Sequence, residues 1–134
     1  MKAMSPATNA AVRSARVRRA VKLPQAVAAA VQAALDKKGE DLVVLDLRPT
    51  ADFTDFFLLV TAANQRQLVA IVDAILEALR RLGRRPTHTE GYPRGEWLLV
   101  DFDSFVVHAF TARSRAFYDL ERLWGGARRL EVRA

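Results

Sequence analysis

Three segments of the chain repeat apolar residues at the spacing of an amphipathic helix. They cover about residues 24–39, 64–83 and 114–124. The second is the clearest, because Asn64 suits an N-cap and Gln67 stands three residues later, in the capping-box position. Its apolar stripe consists of Leu68, Ile71, Val72, Ile75, Leu79 and Leu82. The pattern therefore predicts three helices, each closed by glycine at or just after its end.

Shorter apolar runs between these helices predict strands. They cover residues 41–47, 56–61, 96–102 and 105–111, with a further short strand at 87–90. The run at 56–61 is almost entirely apolar, which is typical of a strand buried on both faces of a sheet. Helix, two strands, helix, two or three strands and helix together predict a single small α/β domain. Its mixed sheet is expected to have four to five strands flanked by helices.

Composition narrows the class of protein. The chain has 134 residues, 51% of them hydrophobic, and no cysteine. It is long enough to bury a core, no apolar run reaches the roughly 18 residues of a membrane span, and no export signal is evident. We therefore expect a cytoplasmic protein without a membrane partner or disulfides. No phosphate loop or metal-ligand spacing is present, so the sequence predicts no cofactor, no metal and no catalytic residues.

Charge is distributed unevenly along the chain. The net charge is +6, and residues 1–22 contain six basic side chains and no acidic one. This divides the chain into a basic arm at 1–22, a domain at 23–124 and a short basic tail at 125–134. The arm is expected to be flexible and is either a solvated leader or a segment that contacts RNA phosphates. Its composition also resembles a transit peptide, which leaves an organelle open.

The stretch from residue 90 to 124 concentrates the residue types that dominate binding interfaces. It contains both tryptophans, both tyrosines and several arginines. Strand alternation places Trp97, Leu99 and Asp101 on one face of their strand and Leu98 on the other. The pattern leaves two possibilities open for Trp97, which either packs under a helix or lies at an exposed margin. A lone histidine in an apolar strand, His108, is expected to be a hydrogen-bonded core residue.

Carboxylates provide the alternative, enzymatic interpretation. Asp101 and Asp103 are spaced to point to the same side of a strand, where two carboxylates can hold Mg²⁺. With Asp46 they would form the site of a metal-dependent nucleotidyl or phosphoryl transferase. Thr61-Ala62-Ala63 before the second helix lacks the glycines that usually form a phosphate cradle. A turn carboxylate beside a strand carboxylate is therefore the favoured interpretation.

The order and spacing of many residues resemble the Iojap family, whose bacterial members are the ribosomal silencing factors. The resemblance covers about residues 24–124. The matching residues are Leu45, Asp46, Thr54, Asp55, Arg66, Ile71, Asp73, Glu90, Gly91, Trp97–Asp101, Val106–His108, Arg115 and Tyr118–Trp124. Two places depart from the pattern: the family usually has Gly-Asp where Asp103-Ser104 stands, and Thr-Gly where Thr61-Ala62 stands.

The resemblance implies a fold similar to nucleotidyltransferases without their catalytic machinery. It also implies binding to the large ribosomal subunit through its protein fourteen. Such binding blocks joining with the small subunit and lowers translation when nutrients are scarce. Homodimers of the free protein are implied as well, and contact of the basic tails with ribosomal RNA is a further expectation.

The resemblance also implies a docking surface around an exposed Trp97. We expect its hot spot to be Trp97 with Leu98 or Leu99. The polar contacts expected around that centre come from Glu90, Tyr92, Arg94 and Asp101.

Overall fold

The computed structural model describes residues 23–91 and 95–132. The predicted arm at 1–22 and the candidate residues Tyr92 and Arg94 lie outside this range. The described residues form four helices and six strands. The helices are α1 (Gln25–Asp36), α2 (Gln65–Arg81), α3 (Ala112–Tyr118) and α4 (Leu120–Leu123). The strands are β1 (Glu40–Asp46), β2 (Phe56–Ala62), β3 (His88–Gly91), β4 (Trp97–Asp101), β5 (Phe105–Thr111) and β6 (Arg128–Val132).

The strands form one mixed sheet in the order β3-β4-β5-β2-β1-β6. Strands β2 and β5 are parallel, and every other neighbouring pair is antiparallel. The expectation of an α/β domain with a mixed sheet is confirmed, but the expected count of four to five strands is wrong. The additional strand is β6, which pairs with β1 from Leu42↔Val132 to Asp46↔Arg128. The sheet therefore extends past residue 124, into the segment expected to be a basic tail.

Helices α1 and α2 cover one face of the sheet. The even positions of β2, such as Leu58 and Val60, are fully buried against apolar residues of both helices, including Val27 and Ile75. All seven residues of β2 are buried, as the apolar run predicted. Hydrophobic burial on this face supplies the main driving force for folding. Within the described residues, no helix has both the length and the apolarity of a membrane span.

The capping of α2 follows the sequence closely. The Asn64 side chain accepts a hydrogen bond from the Gln67 N–H at 2.8 Å, as predicted. The Gln67 amide also donates to the carbonyls of Lys37 and Lys38, at 3.1 and 3.0 Å, which ties the start of α2 to the end of α1. At the other end of α2, Gly83 has φ 75°, and the Arg84 N–H donates to the Leu79 carbonyl at 2.8 Å. This left-handed turn satisfies carbonyls at the helix end.

Close approach explains the glycine after α1. A Cβ at Gly39 would lie 2.5 Å from a methyl carbon of Val60. The left-handed turn that ends α1 is taken by Lys38, with φ 62°, and not by this glycine. Gly39 is therefore required because β1 enters the sheet directly against β2.

Candidate functional site

The second face of the sheet carries a layer of aromatic side chains. We call the surface formed by Phe57, Trp97, His108 and Phe110 the aromatic face. Strand pairing brings these residues together, because Trp97 lies opposite Phe110 on β5 and Leu99 lies opposite His108. Apolar residues of β1 and β5 complete the layer, and Leu120 and Trp124 pack on it.

Trp97 lies within this layer and not on its surface. Only 8% of the residue is exposed. The Tyr118 ring covers it at a centroid distance of 4.4 Å, and Phe110 packs beside it at 5.0 Å. The expectation of an exposed Trp97 is therefore wrong, because α3 folds back over the start of β4. A tryptophan placed in this way supports the surface above it.

His108 forms a buried polar pair with Trp97. The indole N–H donates to Nδ1 of His108 at 3.2 Å, so a neutral imidazole carries its proton on Nε2. Nε2 has no hydrogen-bond partner among the described residues, and the ring meets Phe57 edge-on at 4.5 Å. Burial lowers the pKa of His108 to about 3, because a charged imidazole would be desolvated in this layer. His108 is the hydrogen-bonded core residue that the strand pattern predicted.

The other candidate residues of β3 and β4 divide between the two faces. Leu99 and Asp101 share the face of Trp97, and Glu90 joins them because it lies opposite Leu99. Leu98 packs against the core under the helices and does not belong to this surface. Glu90 is exposed, and its carboxylate lies 2.6 Å from Nε2 of His88. The structure therefore brings together Trp97, Leu99, Asp101 and Glu90.

Four exposed apolar side chains surround the aromatic face. Phe53 is 59% exposed and contacts Phe57 and Trp124, while Phe117, next to Tyr118, is 79% exposed. Leu123 and Tyr118 are 73% and 41% exposed. Large contiguous patches of exposed apolar side chains are rare on soluble monomers and often mark an interaction site. The grouping of these four side chains therefore indicates a contact surface. Phe53 lies in the loop before β2, where neither apolar periodicity nor a motif marks it, and the helical spacing of residues 114–124 does not show that Leu123 is exposed.

A break in the last helix explains why Phe117 is exposed. Helical spacing across residues 114–124 groups Phe117 with Leu120 and Trp124 on one buried stripe, and for Phe117 this is wrong. Asp119 adopts a left-handed conformation, with φ 49° and ψ 51°, between α3 and α4. The period of 3.6 residues does not continue through that residue. Leu120 and Trp124 are consequently half-buried on the aromatic face, while Phe117 stays exposed beside Tyr118.

Arg115 anchors this C-terminal segment to the sheet. Its guanidinium donates to the Asp41 carbonyl at 2.6 Å, to Oγ1 of Thr61 at 2.8 Å and to Glu121 at 3.0 Å. Glu121 also accepts a hydrogen bond from Arg129 on β6. The hydrogen bond from Arg115, with that from Arg129, holds the pKa of Glu121 below its usual value despite partial burial. Helical spacing over residues 114–124 predicts that Arg115 points outward, and this is wrong, because its side chain is only 12% exposed.

The carboxylates of the enzymatic alternative do not converge. Asp46 lies opposite Phe56, on the face under the helices, whereas Asp101 lies opposite Val106 on the aromatic face. Strands β1 and β4 are separated by β2 and β5, which amounts to about 14 Å. Asp46 is held by Arg48 at 2.9 and 2.7 Å, which lowers the pKa of Asp46. Within residues 23–91 and 95–132, no three potential ligands group as a metal site.

Comparison with known proteins identifies the family of this domain. The fold itself defines a small α/β domain with an incompletely covered aromatic face. Residues 20–134 match the family described as "Ribosomal silencing factor during starvation". The chain is 36% identical over 103 residues to the ribosomal silencing factor of Halalkalibacterium halodurans, across 77% of this chain and 88% of that protein. The chain therefore belongs to the ribosomal silencing factor family.

A eukaryotic relative and a solved structure extend the comparison. The mouse protein named "Mitochondrial assembly of ribosomal large subunit protein 1" is 31% identical over 91 residues, across 66% of this chain and 40% of that protein. A crystal structure of a protein from Chromobacterium violaceum superposes with a TM-score of 0.73 at 30% identity. That match covers 82% of this chain and 92% of the other.

Proposed function

We propose that this chain binds the large ribosomal subunit through its aromatic face and thereby prevents the small subunit from joining. Membership in the ribosomal silencing factor family carries the functional part of the proposal. The partner we propose is the subunit's protein fourteen, contacted on the side that meets the small subunit. Occlusion at that side lowers translation under nutrient limitation without any chemical step.

The group of exposed apolar side chains supports the aromatic face as the docking surface. Phe117, Tyr118 and Leu123 stand around an aromatic layer that the C-terminal segment covers only in part. Leu99 lies half-buried within it, and Glu90 and Asp101 supply a polar margin at the β3 edge. An apolar centre with a polar rim is the usual anatomy of a protein interface. Trp97 contributes by holding Tyr118 in place.

Three finer points belong to the same proposal. First, the chain acts in the cytoplasm, without a cofactor. Its fold is similar to that of nucleotidyltransferases, but it is not itself a transferase. The free protein forms a homodimer that covers the same apolar side chains. Residues 1–22, which lie outside the described range, contact ribosomal RNA. Transferase activity predicts a thermal shift on adding Mg²⁺ with a nucleotide, and such a shift would contradict the proposal.

Co-sedimentation with purified large and small subunits tests the docking surface. Phe117→Ala removes an exposed side chain, so the fold should survive, and we expect binding to the large subunit to weaken. A fully desolvated aromatic residue in an interface is commonly worth about 2 kcal/mol, or about 30-fold in affinity. The matched control is Val69→Ala, because Val69 is 49% exposed on α2, on the opposite side of the sheet.

The outcomes separate the possible surfaces. Selective binding to the large subunit that depends on Phe117 and not on Val69 supports the proposal. Equal weakening by both substitutions, or by neither, contradicts the aromatic face as the docking surface. Equal binding to both subunits contradicts a specific large-subunit partner. Sedimentation of the free protein with Phe117→Ala tests the dimer, which should dissociate if it uses the same face.

A further inference from the structure

Four arginines collect at one corner of the folded domain. The segment Arg80-Arg81-Leu82-Gly83-Arg84-Arg85 closes α2 and leads toward β3. We call Arg80, Arg81, Arg84 and Arg85 the arginine corner. From residue 23 onward the chain has equal numbers of acidic and basic residues. The overall neutrality of residues 23–134 therefore conceals a basic surface outside the tails.

The local fold gives Arg80, Arg84 and Arg85 a common surface, and Arg81 lies next to it, where it shares the Glu77 carboxylate with Arg80. Gly83, with φ 75°, reverses the chain so that Arg84 and Arg85 return beside the last turn of α2. An open groove of about 350 Å³ results, lined by Leu76, Arg80, Arg84, Arg85 and Pro86. The guanidinium of Arg84 donates a hydrogen bond to Oγ of Ser104 at 3.0 Å. The groove therefore brings three guanidinium groups together on one exposed surface.

Stabilisation of the helix end accounts for only part of this charge. Cations near a helix C-terminus interact favourably with its dipole, and Arg80 and Arg81 both pair with Glu77. Arg80 makes two hydrogen bonds to that carboxylate, whereas Arg81 makes one at 3.2 Å and is 74% exposed. Arg84 and Arg85 lie beyond the helix. Within the described part of the chain, Glu77 is the one acidic side chain that forms an ion pair with the arginine corner.

We propose that the arginine corner binds the phosphate backbone of double-stranded RNA. Guanidinium groups bind phosphate oxygens through two parallel hydrogen bonds, which makes arginine well suited to phosphodiesters. The residues that line the groove are arginine, leucine and proline, with no aromatic side chain among them. Single-stranded RNA is usually held by bases stacked on aromatic rings, so this groove fits the backbone of a duplex.

The position of the corner suits a second contact with the same ribosomal partner. Two residues separate Arg85 from β3, and the Thr87 N–H donates to the Asp101 carbonyl at 2.8 Å. Both β3 and Asp101 belong to the edge of the sheet where the proposed docking surface has its polar margin. This placement on the ribosome rests on the proposed function. Binding to RNA does not, because it is measured without ribosomes.

Fluorescence anisotropy with a short labelled RNA duplex, titrated at several salt concentrations, tests the proposal with the full-length chain. The test variant is Arg81→Glu with Arg85→Glu, since both side chains are exposed. We expect its affinity for the duplex at low salt to fall about 10-fold or more. The slope of log affinity against log salt should fall by nearly one for each phosphate contact that is lost.

Lys37→Glu with Lys38→Glu is the matched control. It makes the same change in formal charge at the end of the other large helix, and Lys37 and Lys38 lie at the opposite end of α2 from the arginine corner. Unchanged affinity in the control, together with the loss in the test variant, supports the proposal. Equal losses in both variants would show attraction by general charge and would overturn it.

Two further arms keep the result interpretable. Arg81→Gln with Arg85→Gln repeats the test with neutral side chains if the charge reversal lowers the melting temperature. Polyglutamate of matched length replaces the duplex in a second titration, and equal affinity for it would overturn selectivity for RNA phosphates. Co-sedimentation of the test variant with large subunits separates the two proposals. If the test variant binds the duplex as tightly as the wild type, while Phe117→Ala still weakens sedimentation with large subunits, only the RNA site is refuted.

Discussion

Replacing Trp97 with alanine should lower the free energy of unfolding of the domain. This loss of stability should exceed any direct effect of the substitution on binding. Trp97 is 8% exposed, and its indole contacts Tyr118, Phe110 and His108. Truncation of a buried tryptophan costs about 3–5 kcal/mol through lost transfer energy and the cavity left behind. Loss of the indole N–H also leaves Nδ1 of His108 without its donor. An unsatisfied buried acceptor costs about 1–3 kcal/mol.

Urea denaturation followed by circular dichroism measures this loss as a change in the free energy of unfolding. Trp97→Phe separates packing from hydrogen bonding, because the ring keeps much of the contact area and removes the donor. We expect it to cost about 1–3 kcal/mol, the penalty for an unsatisfied buried acceptor. Combining Trp97→Phe with His108→Leu removes both polar partners. The double substitution should then cost less than the sum of the single ones.

The same series also decides what Trp97 does in binding. Surface substitutions usually change the free energy of unfolding by no more than about 0.5 kcal/mol. A change that small for Trp97→Ala would refute the buried position of Trp97. A stable Trp97→Ala variant that failed to bind would restore Trp97 as a direct contact. If the variant instead loses stability and Phe117→Ala loses binding alone, Trp97 supports the interface from below.

Three further predictions follow from ionisable groups. The free energy of unfolding should fall by up to about 1.4 kcal/mol per pH unit as pH drops below 6.5, because His108 takes up a proton in the unfolded chain but, with a pKa of about 3, not in the folded one. His108→Leu should flatten the pH profile of urea midpoints above about pH 5. An equal slope in both proteins would contradict this. Arg115→Met should cost about 1–3 kcal/mol, because the Asp41 carbonyl and Oγ1 of Thr61 lose this donor and Glu121 keeps only Arg129; urea denaturation measures it against the exposed control Arg113→Met. Deleting residues 1–22 should lower the salt dependence of binding to large subunits, whereas an unchanged slope would leave them as a passive leader.

The sequence alone determined the helical layer and most of the sheet. Its information is local: Asn64 and Gln67 cap α2, Gly83 ends it, and the apolar stripe between them repeats every turn. The apolar run of β2 likewise showed that both of its faces are buried. Strand alternation correctly placed Leu99 and Leu98 on opposite faces, and the pattern of His108 correctly indicated a buried, hydrogen-bonded residue.

Tertiary structure decided the surface around the candidate site. The sequence pattern predicted a basic tail at residues 128–132, where the structure has strand β6. The pattern could not show this strand, because β6 pairs with β1, which is far away in the chain. The left-handed Asp119 turned Phe117 outward, and the fold of α3 placed Tyr118 over Trp97. Neither period nor composition reports such long-range contacts. The sequence therefore predicted candidates for the site, and packing determined which of the described candidates are exposed and which lie beneath them.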